Sequence, residues 1–223
     1  MEIVCKYFLY FIIYSFIGWL MEVICKLFEF KRFVNRGFLI GPICPIYGYG
    51  VLAIIVLIGK DTSDVLTVFL KSIFVCSLLE YFTSYFMEKL FKARWWDYSS
   101  RKFNINGRIC LETMLPFGIL GTTVVYLIHP IVINFVNLFG TKIIIIISSL
   151  LFFIYLADNI VSFNIMSQIK NEIKKNKMDN TELIKKKVSK WIENHSILYR
   201  HIKEAYPKFI INNKTKVRIN NKK

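Results

Sequence analysis

Apolar residues along this chain gather into five long runs separated by short polar connections. A helix rises about 1.5 Å per residue, so roughly 20 apolar residues cross the hydrocarbon core of a bilayer. The pattern predicts five membrane-spanning helices, at Cys5–Phe28, Gly37–Ile58, Val65–Leu90, Arg108–Ile128 and Lys142–Phe163. His129-Pro130 is predicted to end the fourth helix, because proline interrupts helices. The next run, Ile131–Phe139, is too short to cross and is predicted to lie at the outer interface.

The predicted fold class is all-α, a polytopic membrane helix bundle with five transmembrane helices over residues 1–165. A basic cytoplasmic tail over residues 166–223 follows, and the fifth helix is expected to continue into it, towards Lys177. An Asp179-x-x-Glu182 capping pattern comes next, and apolar residues then recur every three to four positions from Ile184 to Ile202. This spacing predicts a basic amphipathic C-terminal helix that lies on the membrane or packs on a partner.

Glycine and proline interrupt the start of the second run. Pro42 and Pro45 are predicted to fall in the first turn of its helix, where a missing N–H costs little. Such an entry is typical either of tight helix packing or of a partly unwound segment that lines a cavity. In the first run, Phe11, Ser15 and Glu22 share one helical face with a glycine. The candidate packing or hinge residues are Gly18, Gly41, Pro42, Pro45, Gly48 and Gly50.

The connection from Phe91 to Glu112 is the longest polar interruption before the tail. Its aromatic residues Trp95, Trp96 and Tyr98 are of the kind that lies at membrane–water interfaces. Asn106-Gly107 predicts a turn ahead of the fourth helix.

Positive charge is concentrated at the C-terminus. The chain is 55% hydrophobic and carries a formal net charge of +15. From Lys170 onward there are 16 Lys and Arg against five acids, which leaves a net +11 in the tail. Beside a membrane bundle, such a tail is predicted either to contact anionic lipid, rather than nucleic acid, or to be solvated in the cytoplasm.

The distribution of Lys and Arg between the connections predicts the orientation. With five crossings, one side of the membrane holds four of the 30 basic residues, at Lys6, Lys60, Lys71 and Lys142, and the other side holds 26. Basic residues in short loops stay cytoplasmic, so the N-terminus is predicted outside and the C-terminus inside.

This orientation brings the acids of the apolar runs to the cytoplasmic third of the bundle, beside arginines. We therefore predict a polar cavity open to the cytoplasm. A purely structural network of buried ion pairs is the alternative, and Glu112 would also fit a simple helix-start residue. The candidate cavity residues are Glu22, Arg36, Glu80, Glu88, Arg94, Trp95, Trp96, Asp97, Arg108, Glu112 and Asp158.

The sequence shows no recognisable motif for metal binding, nucleophilic catalysis or ATP hydrolysis. The five cysteines are scattered and form no C-x-x-C pair, so we interpret them as reduced, and no metal site or cofactor is predicted. No nucleophile–base pair is recognisable. There is no G-x-x-x-x-G-K-[ST] loop, so the chain does not hydrolyse ATP by that route.

Three blocks of the bundle resemble the signature blocks of a bacterial membrane family catalogued as putative ABC-transporter type IV, or CmpB-like. They are YSFIGWLMEV (Tyr14–Val23), NRGFLIGPICPIYGYG (Asn35–Gly50) and RWWDYSSRKFNINGRICLE (Arg94–Glu112). The ending RHIKEAYPKF (Arg200–Phe209) is also similar to that family's tail. The resemblance implies a transport permease served by a separate ATPase or a second membrane subunit, and it assigns no catalytic residues.

Two functions stay open on the sequence. The first is a permease-like subunit with a cytoplasm-facing polar cavity and an unknown substrate. The second is a non-transporting anchor or regulatory module whose basic tail binds a partner or anionic lipid. An enzyme that acts on lipid is a weaker third interpretation, because clustered carboxylates and arginines can serve phosphate-bearing substrates.

Overall fold

The computed structural model describes residues 1–58, 64–91 and 93–175 and a two-residue strand at 210–211. The described part is mainly helical. Its helices are α1 (Glu2–Phe30), α2 (Pro45–Ile58), α3 (Val65–Phe91), α4 (Leu111–Thr123), α5 (His129–Asn137) and α6 (Thr141–Lys175), with one π-helical turn at Val124–Ile128. Its strands are β1 (Ala93–Arg94), β2 (Asn104–Ile105), β3 (Ile109–Cys110) and β4 (Ile210–Ile211).

Four helical stretches are long and apolar enough to cross a membrane, which confirms a polytopic helical membrane protein. They are Glu2–Phe30, Val65–Phe91, Leu111–Asn137 and Thr141–Asn171. Helix α2 has 14 residues, or about 21 Å of helix against about 30 Å of hydrocarbon. The count of five crossings therefore stays a prediction. The amphipathic tail helix lies outside the described residues, and the domain boundary after residue 165 also stays a prediction.

The chain before α2 is irregular, and Pro42 lies in it rather than in the first helical turn. That part of the prediction was wrong, whereas Pro45 does begin the helix. The amide of Cys44 already donates to the Ser15 carbonyl of α1 at 2.9 Å. Starting the helix one turn earlier would therefore gain no hydrogen bond for this amide. Each proline also disfavours helical geometry in the residue before it.

The predicted helix end at His129-Pro130 was also wrong, because the helix continues to Asn137. The His129 amide bonds to the carbonyl of Val124, five residues back, within the π turn. Pro130 then lies at the start of α5, where its missing N–H is tolerated. The stretch Ile131–Phe139 is thus mostly the last part of a spanning helix, not a separate interfacial segment.

Glycines set the closest helix contacts. A Cβ atom on Gly18 would lie closer than 3.0 Å to the Tyr47 side chain, and one on Gly48 would meet Ser15 and Phe11 as closely. These contacts join α1 to α2. Gly118 meets Phe69 in the same way and joins α4 to α3.

An apolar cluster joins α1, α5 and α6 at the end of the bundle opposite the α3–α4 connection. Its buried members are Leu9, Tyr10, Tyr14, Val132, Val136 and Ile144. The Tyr14 hydroxyl also lies 2.8 Å from Nδ1 of His129. The long helix Leu111–Asn137 therefore contacts α1 through its α5 end, while α4 packs on α3.

Strands β2 and β3 form a short antiparallel hairpin between α3 and α4, with Ile105 opposite Ile109. Asn106 and Gly107 occupy its turn, both with positive φ. Asparagine and glycine tolerate this geometry better than other residues, and the predicted Asn-Gly turn is confirmed. Strand β1 pairs antiparallel with β4, which brings residues 210–211 of the tail to this end of the bundle. We call it the hairpin end.

Candidate functional site

A cavity of about 740 Å³ lies between α1, α2, α3 and α4 and extends to the α3–α4 connection. Its deeper wall is apolar and includes Ile17, Met21, Val51, Ile54, Leu120 and Val124. Polar and charged side chains line the part nearer the hairpin end, including Glu22, Lys26, Glu29, Arg36, Glu80 and Asp97. The cavity is therefore amphipathic along its length.

Glu80 is the most deeply buried acid that lines this cavity. Its residue is 8% exposed, and it shares a buried stripe of α3 with Ser77 and Ser84, as their spacing predicts. The Tyr98 hydroxyl donates to its Oε1 atom at 3.2 Å. Its Oε2 atom has no hydrogen-bond partner among the described residues.

Glu22 reaches the same cavity from α1 and has two partners. The Tyr47 hydroxyl of α2 donates to its Oε1 atom at 2.7 Å. The Arg36 guanidinium lies 3.4 Å from its Oε2 atom. Because Gly18, one turn earlier, has no side chain, Tyr47 packs directly on α1 and its hydroxyl reaches the carboxylate.

Trp95, Trp96, Asp97 and Tyr98 form the wall contributed by the α3–α4 connection. Trp95 is only 4% exposed and packs against Phe38, so its ring is buried within the protein, and its interfacial position stays a prediction. The indole N–H of Trp96 donates to the Arg108 carbonyl at 3.0 Å. Both rings are therefore fixed by contacts within the protein.

The polar groups of this wall have shifted pKa values. Burial raises the pKa of the Tyr98 phenol, and the Glu80 carboxylate raises it further. Partial burial acts to raise the pKa of Asp97. Hydrogen bonds from Ser99 and the charge of Arg94 outweigh that effect, so the pKa of Asp97 lies below its usual value.

Glu88, Arg94 and Arg108 form an ion-pair cluster beside the cavity. The Glu88 carboxylate lies 3.2 Å from Arg94 and 2.8 Å from Arg108. The Arg108 guanidinium also stacks over the Tyr81 and Tyr85 rings of α3. This cluster ties the hairpin to α3, which agrees with the alternative of a structural ion-pair network for these three residues.

Besides Glu88, two predicted acids lie apart from the cavity lining. Glu112 is in the first turn of α4, but its side chain is 59% exposed and pairs with Arg101 on the surface at 3.0 Å. Asp158 of α6 accepts the amides of Ile40 and Gly41 at 2.9 and 2.8 Å. Asp158 therefore anchors the irregular segment before α2 by bonding its backbone rather than an arginine.

Sequence reasoning missed other lining residues. Tyr47 and Tyr98 supply the hydroxyls that hold Glu22 and Glu80, although no local pattern separates them from other tyrosines of the bundle. Lys26 and Glu29 lie one and two turns beyond Glu22 on α1. Their helical spacing from Glu22 could have indicated a shared face.

Within the described ranges, no group of three or more His, Cys, Asp or Glu side chains is arranged to hold a metal ion. Comparison with curated proteins and with solved structures returned no match. The family described as putative ABC-transporter type IV matches residues 9–163, from Leu9 of α1 to Phe163 of α6. This chain therefore belongs to the putative ABC-transporter type IV family.

Proposed function

We propose that this protein is a permease-like subunit whose amphipathic cavity opens to the cytoplasm and takes up a transported substrate. The observation that carries the proposal is the cavity of about 740 Å³, with a buried carboxylate from α3 and a half-buried one from α1. Small-molecule sites are typically concave, mainly apolar and supplied with a few placed polar groups. Membership in a transporter family supports the same function.

The orientation in this proposal depends on the charge of the connections. The α3–α4 connection is rich in arginine and lysine, and such loops stay cytoplasmic. The hairpin end therefore faces the cytoplasm, with the N-terminus outside and the C-terminus inside. This requires α2 to complete a crossing together with the irregular residues before it. Leu39 and Cys44 of that segment are buried, and irregular backbone is tolerated at membrane depth where protein covers it.

Transport would need energy from a second component. The sequence has no P-loop motif, so we propose a separate ATPase or a second membrane subunit as the partner. A tagged copy of the protein, purified from its own bacterium under mild detergent, is expected to bring such a subunit with it. Recovery of the tagged chain alone would contradict the proposed partner.

Glu80→Gln tests the transport role directly. We expect a deletion strain to accumulate or lose a metabolite, and the wild-type gene to restore its level. The Glu80→Gln variant should express normally but fail to restore that level. Glu2→Gln removes the same charge from an exposed pair with Lys6 at the opposite end and should restore it fully. Full restoration by Glu80→Gln would refute a transport role for the cavity.

A regulatory module is the second candidate, and one observation favours it. Strand β4 of the tail pairs with β1, directly before Trp95 of the cavity wall. A tail that binds a partner or anionic lipid would therefore act next to the cavity. Deletion of residues 179–223 should then abolish function while Glu80→Gln is tolerated, which is the reverse of the result expected for a permease.

A further inference from the structure

The charges that line the cavity are unequally paired. Each lining cation has a carboxylate partner: Lys26 pairs with Glu29, Arg36 with Glu22, and Arg101 with Glu112. Asp97 in turn pairs with Arg94 at 3.2 Å. Glu80 differs, because it forms no ion pair with a described residue. The polar part of the cavity therefore holds one carboxylate whose charge nothing in the described chain offsets.

Glu80 is also positioned to bind a ligand. Its residue is 92% buried, the complement of its 8% exposure, and it contributes to the cavity surface. Tyr98 holds Oε1, which fixes the carboxylate, and Oε2 is itself buried and has no donor among the described groups. A buried carboxylate without a cation is costly, so a ligand that supplies both positive charge and an N–H donor would bind favourably.

Aromatic rings surround the same part of the cavity. Tyr47, Trp95, Trp96 and Tyr98 all contribute to its lining. The faces of such rings attract cations, and Trp is the strongest of them. Carboxylates and aromatic rings together favour an ammonium group over a phosphate or a carboxylate.

The apolar part of the cavity wall indicates that the ligand also carries an apolar group. Beyond the charged part, the cavity continues between Ile17, Met21, Leu120 and Val124 of α1, α4 and the π turn. Burying an alkyl chain there would remove it from water and would therefore be favourable. A small hydrophilic amine would leave this wall empty.

We propose that the cavity binds an amphiphile with a protonated primary or secondary amine, whose ammonium group pairs with the Glu80 carboxylate where Glu80 lines the cavity and whose alkyl chain lies between α1 and α4. This assigns a substrate class to the cavity of the proposed permease and rests on that proposed function. The ligand's ammonium group supplies the positive charge that no described lining side chain supplies to Glu80.

Equilibrium binding to the full-length protein in lipid nanodiscs tests the ligand class without requiring transport. Dodecylammonium, dodecanol and laurate are titrated calorimetrically, with empty nanodiscs subtracted. The wild-type protein is expected to bind dodecylammonium about tenfold or more tighter than dodecanol, and laurate weakest, from the value of a charge-assisted hydrogen bond. Glu80→Gln should remove the preference for the ammonium while dodecanol still binds, which also reports an intact cavity. Glu2→Gln is the matched control and should bind like wild type.

Equal affinity of the wild-type protein for dodecylammonium and dodecanol would overturn the inference, whatever happens to the variants. Unchanged ammonium binding by a folded Glu80→Gln variant would overturn it as well. Ammonium binding without any transport phenotype would refute the permease role and leave the ligand class standing. A transport phenotype without ammonium preference would refute the ligand class and leave the permease role standing.

Discussion

Replacing Gly18 with alanine should loosen the α1–α2 contact and disturb the cavity wall. The new Cβ would lie closer than 3.0 Å to Cβ and Cγ of Tyr47, atoms close to the α2 backbone that cannot swing away. Overpacking of this kind costs about 1–3 kcal/mol. Displacing Tyr47 would also weaken the hydrogen bond of its hydroxyl to Glu22, worth about 1.5–3 kcal/mol for a charged acceptor. The better helix propensity of alanine offsets about 1 kcal/mol of this loss of stability.

The expected net loss is about 2–4 kcal/mol, or roughly 4–16 °C in Tm for a chain of this size. Thermal unfolding in detergent, followed by circular dichroism, measures it. Two glycines serve as controls. A Cβ on Gly50 would meet its neighbours at 3.7 Å or more, and one on Gly140 would meet nothing within 4 Å. Both alanine variants should be as stable as wild type or slightly more so. A Gly18→Ala protein as stable as these two would refute the packing argument.

Three further predictions concern the hairpin end. Glu88→Gln should destabilise the protein by about 3–5 kcal/mol, because it leaves the mostly buried charge of Arg108 without a carboxylate partner among the described residues; chemical unfolding in detergent measures this, and a loss under 1 kcal/mol would contradict it. Asp158→Ala should cost about 1.5–3 kcal/mol by removing the acceptor of two amides, and hydrogen exchange at Ile40 and Gly41 should rise; unchanged exchange would refute the anchoring. Because the pKa of Asp97 is lowered in the folded protein, its ionised carboxylate stabilises the fold at pH values above the usual pKa of about 4. This stabilisation is lost as the pH falls below that value. Tm should therefore fall more steeply between about pH 5 and 3 in wild type than in Asp97→Asn, and parallel curves would contradict this.

The parts of the fold that could be predicted from sequence depend on local or periodic signals. Ser77, Glu80 and Ser84 share a buried face because their spacing fits the helical repeat. Asn106-Gly107 forms a turn because both residues tolerate positive φ. These properties belong to the residues themselves and need no knowledge of what packs against them.

The parts that could not be predicted depend on distant partners. Pro130 does not end its helix because a π turn five residues long adjusts the hydrogen bonding ahead of it. Asp158 bonds backbone amides more than a hundred residues earlier in the chain. Glu112 was expected in the cavity, but Arg101 pairs with it on the surface. In each case the competing arrangements have similar local chemistry, and the tertiary structure decides between them.

The irregular segment before α2 also constrains how the bundle can move. Its amides at Ile40 and Gly41 bond to α6, and its Cys44 amide bonds to α1. Separating these helices would leave three amide donors without their acceptors, at a cost of about 1–3 kcal/mol each where they stay buried. Helices α1 and α6 are thus linked through the segment that begins α2, and we expect these three helices to move together. We therefore expect a motion that admits or releases a ligand to involve mainly α3 and α4.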